Sequence, residues 1–436
     1  MSLGGYIRRT VYWAKDYLKG SPIRTHYNDI DFIRNNKVEG DKRINMYLEN
    51  LLSHATNNSE FYKKYQDLPF EEFPVMNKLS YIENYDSIFI KDRWGQKGSW
   101  IARTSGSTGI PFMLHQDKNK RNRLLAELKY FGQLCGYTSH EPMAQFRVWK
   151  YGGKTKLQSF NENIFAVDIS KLNDETMHDI VNLLINKKIT TIFSYSNALD
   201  ILCRYILDEN ISSDKFKIKT IVSQGEALQR STEIALHKIF KCKVIKQYSN
   251  NENGIFSEEP SKENFFLLNH ASYKFEILKL NSDKQAEFGE LGRIVVTDLF
   301  NYAFPMIRYD LGDIGVIEKG HDISFSRPIL TELHGRHLDL IYNTTGGLVN
   351  PLFITAHLQF AFESLKQLQF IQKSHNEYVL KIVLKSTIDL SSILKEIKLV
   401  LGFDAQISVE EVTEIPLLPS GKRKFIICEY KHPNYN

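Results

Sequence analysis

A chain of 436 residues with 56 basic and 51 acidic side chains, formal charge +5, has length enough for two or more domains and a large buried core. So even a balance supplies no polyanion-binding face, which excludes nucleic acid as the expected partner. Cys135, Cys203, Cys242 and Cys428 are scattered without a Cys-x-x-Cys pair, no apolar run approaches a membrane span and no cleavable signal pattern is seen, so we expect a soluble protein of the reducing cytoplasm.

Taken in order, residues Tyr6 to Leu18 place Tyr6, Ile7, Val11, Ala14, Tyr17 and Leu18 on one helical face, with Arg8, Arg9 and Lys15 toward the other side. Two readings of this face are open: weak peripheral contact with a membrane through residues 6–18, or, as is commoner, docking against the helix's own domain. A second helical pattern from Lys42 to Tyr65 carries Leu48, Leu51 and Leu52 and reads as scaffolding. Next comes Thr104-Ser105-Gly106-Ser107-Thr108-Gly109-Ile110-Pro111, with two glycines and four hydroxyls. Backbone N–H groups freed by a turn, together with Ser and Thr hydroxyls, make a concave donor surface that suits a polyphosphate. The same composition also describes a surface turn, and the run is neither a Walker loop nor a dinucleotide fingerprint.

Beyond a charged amphipathic helix from Lys118 to Leu134, apolar runs alternate with helices. Strands are expected at Ala144–Val148, Asn163–Ile169, Thr190–Ser194, Thr220–Ser223 and Lys243–Gln247, and helices at Asp174–Asn186, Ala198–Leu207 and Ser231–Ile239. Such alternation predicts a mostly parallel sheet covered on both faces, with ligands held by loops at the carboxyl ends of its strands. Two polar loops fall there, Gln224-Gly225-Glu226 and Tyr248 to Gly254. From Phe265 the pattern changes to alternating, antiparallel-type strands, and the final hundred or so residues form a small α+β domain with a helix beginning near Pro351. The fold class is therefore α/β, with a large N-terminal domain, residues 1–333, of mostly parallel sheet plus antiparallel strands. A small C-terminal α+β domain, residues 334–436, presents Lys422 at the tip of a turn-rich segment.

The ordered set of motifs resembles the adenylate-forming superfamily of acyl-CoA ligases, luciferases and peptide-synthetase adenylation domains. Within it, the chain looks most like the branch of phenylacetate-CoA ligases and CapK-type proteins of capsule polysaccharide biosynthesis. Thr104 to Pro111 is similar to the phosphate loop, Gln224-Gly225-Glu226-Ala227-Leu228 to the adenine-side loop, and Tyr248-x-x-x-Glu252-x-Gly254 to the aromatic-plus-acid motif. Tyr309-x-x-Gly312-Asp313 is similar to the ribose motif, Gly335-Arg336 to the start of the hinge motif, and Pro416-x-x-x-x-Gly421-Lys422 to the C-terminal lysine motif. The likeness runs from about Leu51 to Tyr430.

The resemblance implies an AMP-forming acid ligase that uses ATP and Mg²⁺ to join a small carboxylic acid to an acceptor, with a mobile small domain. Thr104, Ser105, Gly106, Ser107, Thr108 and Gly109 would hold phosphates, Gly225 and Glu226 would lie on the adenine side, and Tyr248 would stack on adenine. Glu252 would ligate Mg²⁺, Asp313 would bind ribose, Arg336 would contact ribose or phosphate, and Lys422 would bridge carboxylate and α-phosphate. Attack of one anion on another requires such charge neutralisation and in-line positioning. Coenzyme A is the implied acceptor, a sugar amine or hydroxyl of a polysaccharide precursor the alternative, a non-catalytic assembly protein a further one, and a homodimer the implied assembly. The chain departs from the pattern at Leu338, where the hinge motif usually has Asp, and at Asp310-Leu311 in the ribose motif.

Overall fold

The computed structural model describes residues 2–103, 112–148, 155–170, 172–259, 264–320, 326–336, 341–349, 354, 358, 364–416 and 424–430. Its centre is a seven-stranded sheet in the spatial order Ile164–Asp168, Met143–Arg147, Thr191–Tyr195, Thr220–Gln224, Lys243–Asn250, Gly254–Glu258, Leu267–Leu268. The first five strands are parallel and the last two antiparallel. All five residues of Thr220–Gln224 are buried, as a strand covered on both faces requires. The helix Ser196–Asp208 buries Ala198, Leu199, Leu202, Cys203 and Ile206, a helical stripe laid on that sheet. The helix Asp174–Asn186 starts with a capping box in which Asn173 and Thr176 satisfy each other's backbone N–H.

A four-stranded antiparallel sheet follows in the order Tyr273–Leu278, Leu291–Asp298, Tyr309–Glu318, Ile329–Arg336. It shares a core with the N-terminal helices, where Ile30, Leu51, Tyr62 and Tyr81 pack with Phe304, Met306 and Tyr309. The small α+β unit has its own core around Phe370, Tyr378, Leu380, Ile397 and Leu401. Its strands lie in the order Gln406–Glu411, Glu377–Leu384, Leu365–Gln372, Ile426–Cys428, beside the helix Ser391–Leu401. Two polar contacts tie it to the helix Ser196–Asp208: Arg204 donates to the Leu365 carbonyl at 2.8 Å, and Lys385 pairs with Asp208 at 2.7 Å.

The alternation read from the sequence corresponds to these elements within a residue or two at most ends. Several elements differ from it. The strand Lys243–Asn250 runs past Gln247 and folds back into Gly254–Glu258, so Tyr248 stands on a strand rather than a loop. The helix Pro22–Asn35 and the ribbon Trp100–Arg103/Met113–Gln116 carry too short or too polar a pattern to be recognised. The first helix, Leu3–Tyr17, docks by the face opposite to the apolar one: Gly5 and Asp16 are buried, whereas Tyr6, Ile7, Val11 and Tyr17 are exposed. The helix expected near Pro351 lies outside the described residues.

Candidate active site

The described site residues gather at the carboxyl ends of the parallel strands, where the antiparallel sheet abuts them. Gln224 is the register partner of Gln247, which puts Gly225 alongside Tyr248. Gly225 adopts φ +84°, a left-handed conformation that glycine takes without steric cost, and it turns the chain toward Glu226. The Glu226 carboxylate accepts from the backbone N–H of Asn197 at 2.8 Å, in the first turn of the helix Ser196–Asp208. A negative charge is favoured at that end of a helix, so Glu226 locks two carboxyl-end loops together.

Tyr248 joins the two sheets. Its hydroxyl donates to Asp313 at 2.7 Å, and its ring packs on Phe256 with centroids 5.2 Å apart. Burial, reinforced by the neighbouring Asp313 charge, pushes the phenol well above its usual range, so Tyr248 remains a donor at all ordinary pH. An ionised carboxylate offers about four acceptor positions, one of them here taken by Tyr248. Arg336 is the register partner of Asp313 on the adjacent strand. Tyr248, Asp313 and the backbone of Arg336 are thus neighbours although 65 and 23 positions separate them along the chain.

Glu252 sits at the tip of the hairpin formed by Lys243–Asn250 and Gly254–Glu258 and is 8% exposed. The Gln116 amide donates to its carbonyl at 2.8 Å, and Asn250 accepts from the Asn253 N–H at 2.7 Å. Gln116 ends the ribbon whose other side joins the segment 104–111, since Arg103 pairs with Met113. Mg²⁺ is usually held by one or two carboxylates, with phosphate oxygens and water completing its shell, and the single carboxylate of buried Glu252, whose backbone Gln116 holds, suits that donor set. Among the described residues no group of three or more His, Cys, Asp or Glu forms a self-sufficient metal cage.

Thr104, Ser105, Gly106, Ser107, Thr108, Gly109, Leu338 and Lys422 lie outside the described residues, as does the side chain of Arg336.

Behind the hairpin is a charged cluster that the sequence did not suggest. Lys120 is fully buried and pairs with Asp298, also fully buried, at 2.6 Å, while donating to the Tyr273 hydroxyl at 3.1 Å. Tyr273 donates in turn to the Asn253 carbonyl at 2.6 Å. Arg123, one turn along, pairs with Asp29 at 2.7 Å and donates to Ser272 at 2.9 Å. Lys120, Arg123, Glu127 and Tyr130 recur at helical spacing on the buried face of Lys118–Leu134. That spacing was the available signal; the segment reads from sequence as a charged amphipathic helix, and the number of Lys and Arg residues hid which of them are buried.

Comparison with known proteins bears on this geometry. Residues 341–429 match the CapK C-terminal domain. Over 96% of its length the chain is 24% identical to Protein CapK of Staphylococcus aureus, covering 95% of that protein. Among solved structures, 2-hydroxyisobutyryl-CoA ligase in its postadenylation state superposes with a TM-score of 0.70, at 16% identity and 88% coverage of each chain. The chain has the fold of the adenylate-forming ligases. The amide bond synthetase McbA from Marinactinospora thermotolerans shares it at a TM-score of 0.54 and 15% identity, over 76% of this chain and 68% of McbA. Such identities establish the architecture; the chemistry rests on the site. No helix among the described residues is long and apolar enough to cross a membrane.

Proposed function

We propose that this protein is an ATP-dependent, AMP-forming carboxylate ligase that makes an acyl-adenylate, releases pyrophosphate and passes the acyl group to an acceptor. The observation that carries this reading is the Tyr248–Asp313 hydrogen bond, which unites the aromatic-plus-acid and ribose motifs at the carboxyl edge of a sheet of this fold. Asp313 accepts the ribose hydroxyls, held by Tyr248, and Gly225 and Glu226 border the adenine. Thr104 to Gly109 cradle the phosphates. When bound, Mg²⁺ on Glu252 neutralises phosphate charge. Lys422 approaches from the small domain, whose boundary we place near residue 333, and stabilises the charge that develops between carboxylate and α-phosphate. Arg336 reaches ribose or phosphate as the small domain turns.

Coenzyme A is the acceptor we favour, since 2-hydroxyisobutyryl-CoA ligase, which this chain resembles over most of its length, has been captured with its acyl-adenylate and CoA. The match to the CapK C-terminal domain favours a second reading, transfer to an amine or hydroxyl of a sugar or polysaccharide precursor in capsule biosynthesis. Product analysis by mass spectrometry, with the acid and Mg-ATP supplied alongside coenzyme A or nucleotide sugars, separates the two. A thioester supports the first and an acylated sugar the second; AMP formation in neither mixture, with any acid, contradicts both.

A further inference from the structure

The helix Leu3–Tyr17 is amphipathic in the reverse of the usual sense. On its outer side Leu3, Tyr6, Ile7, Val11, Tyr17 and, just beyond it, Leu18 are between 45% and 82% exposed. Its inner side is held by aromatic and polar contacts: Trp13 lies under the Arg24 guanidinium at 3.7 Å, Tyr12 packs on His140, and the Asp16 carboxylate caps the N–H groups of Ile23 and Arg24. These contacts fix the helix with its apolar stripe facing solvent. Arg8 stacks on Phe160 at 4.7 Å and so extends the surface to a second short helix, on which Leu157 and Phe160 are 68% and 64% exposed.

Charge identifies what covers this face. Between Ser2 and Gly20 the chain carries Arg8, Arg9, Lys15 and Lys19, and its one acidic residue, Asp16, is buried in its capping role. On the first helix, exposed apolar and tyrosine side chains bordered by cations, with no exposed anion on that helix, suit an interface of acyl chains beneath anionic headgroups. A second copy of the chain fits poorly, since a two-fold contact through this face would set the same cations against each other. We propose that the outer face of the N-terminal helix, with Leu157 and Phe160, docks the protein on the surface of an anionic bilayer. The helix lies in the plane of the headgroups, and the ligase site is thereby held at a membrane.

The test is co-sedimentation of the full chain with vesicles of phosphatidylglycerol and phosphatidylcholine, and of phosphatidylcholine alone, at low and high salt. Binding is expected only with the anionic vesicles and weakens as salt rises. In Ile7→Ser/Val11→Ser, which alters only solvent-facing side chains, the partition coefficient falls about tenfold or more while circular dichroism and thermal unfolding stay unchanged. Deletion of the helix is the poorer variant, because it removes the Asp16 cap and with it the start of the next helix. Equal binding to both vesicle types, or undiminished binding by the double variant, overturns the proposal. So does the absence of vesicle binding, whether or not sedimentation velocity then detects a dimer that the double variant dissociates.

Discussion

At the scale of the residue, the proposed function rests on a few fixed polar contacts. Replacing Asp313 by Ala removes the proposed ribose acceptor and takes from the Tyr248 hydroxyl its partner, a loss of about 2–3 kcal/mol for a charged hydrogen bond. ATP binding measured by calorimetry should weaken by about 30- to 160-fold on that basis, and Tyr248→Phe, which keeps the carboxylate, by about tenfold or less. Unchanged affinity in Asp313→Ala would remove it from the nucleotide site. Lys120 makes a different prediction. Lys120→Met leaves the fully buried Asp298 uncompensated, which costs about 3–5 kcal/mol, whereas Lys120→Met combined with Asp298→Leu should recover most of it. Chemical denaturation of the single and double variants measures this; a single variant as stable as wild type would mean that the pair contributes nothing. Tyr248, Glu252 and Asp313 could be singled out as candidates because each belongs to a spaced motif with its own chemistry. Lys120 and Asp298 could not, because their pairing joins positions 178 apart and neither belongs to a motif.

At the scale of the element, the hairpin Lys243–Asn250/Gly254–Glu258 links the parallel sheet to the charged cluster and carries both Tyr248 and Glu252. Its turn depends on Gly254, at φ +118°, where an added Cβ would stand 2.2 Å from Leu124 and 3.2 Å from both Glu127 and the Tyr273 hydroxyl. Gly254→Ala therefore combines backbone strain with overpacking and should cost about 2–4 kcal/mol. The metal requirement for nucleotide binding should rise as well, since Glu252 moves with the turn. A variant with wild-type melting temperature and metal titration would contradict this account of the hairpin. The sequence marked Gly254 as part of a motif but placed Tyr248 in a loop: polar Ser249 and Asn250 gave no strand signal, and the pairing with Gly254–Glu258 supplies the missing stabilisation. The first helix gives the complementary lesson. Its 3.6-residue periodicity was read correctly, but periodicity does not say which face meets the domain, and here Trp13, Tyr12 and Asp16 decided it.

At the scale of the whole molecule, burial holds His26, His140 and His270 neutral, each with a pKa lowered to about 4. An unfolded chain takes up those protons near pH 6.5, so stability is fully present above that value and is lost as pH falls toward 4. The loss is about 2–3 kcal/mol for His140, which is buried, and less for His26 and His270, which solvent screens in part. His270 donates to the Pro328 carbonyl at 2.9 Å in its neutral form, and His270→Gln keeps an amide donor without the titration. Its melting temperature should fall less steeply than that of wild type between pH 6.5 and 4; parallel curves would mean that His270 titrates normally in the folded protein. The alternation of apolar runs with helices made the fold legible, because each run corresponds to a strand of the parallel sheet. The docked position of the small domain was not, since it rests on side-chain contacts such as Arg204 with Leu365 and Lys385 with Asp208. The central claim is that this architecture adenylates a carboxylic acid, and acid-dependent exchange of labelled pyrophosphate into ATP, measured without any acceptor, tests it most directly. The account predicts exchange with at least one acid, dependent on a divalent cation and lost in Asp313→Ala. Tight ATP binding with no exchange across aryl, fatty, hydroxy and amino acids, or cleavage to ADP and phosphate, would contradict it.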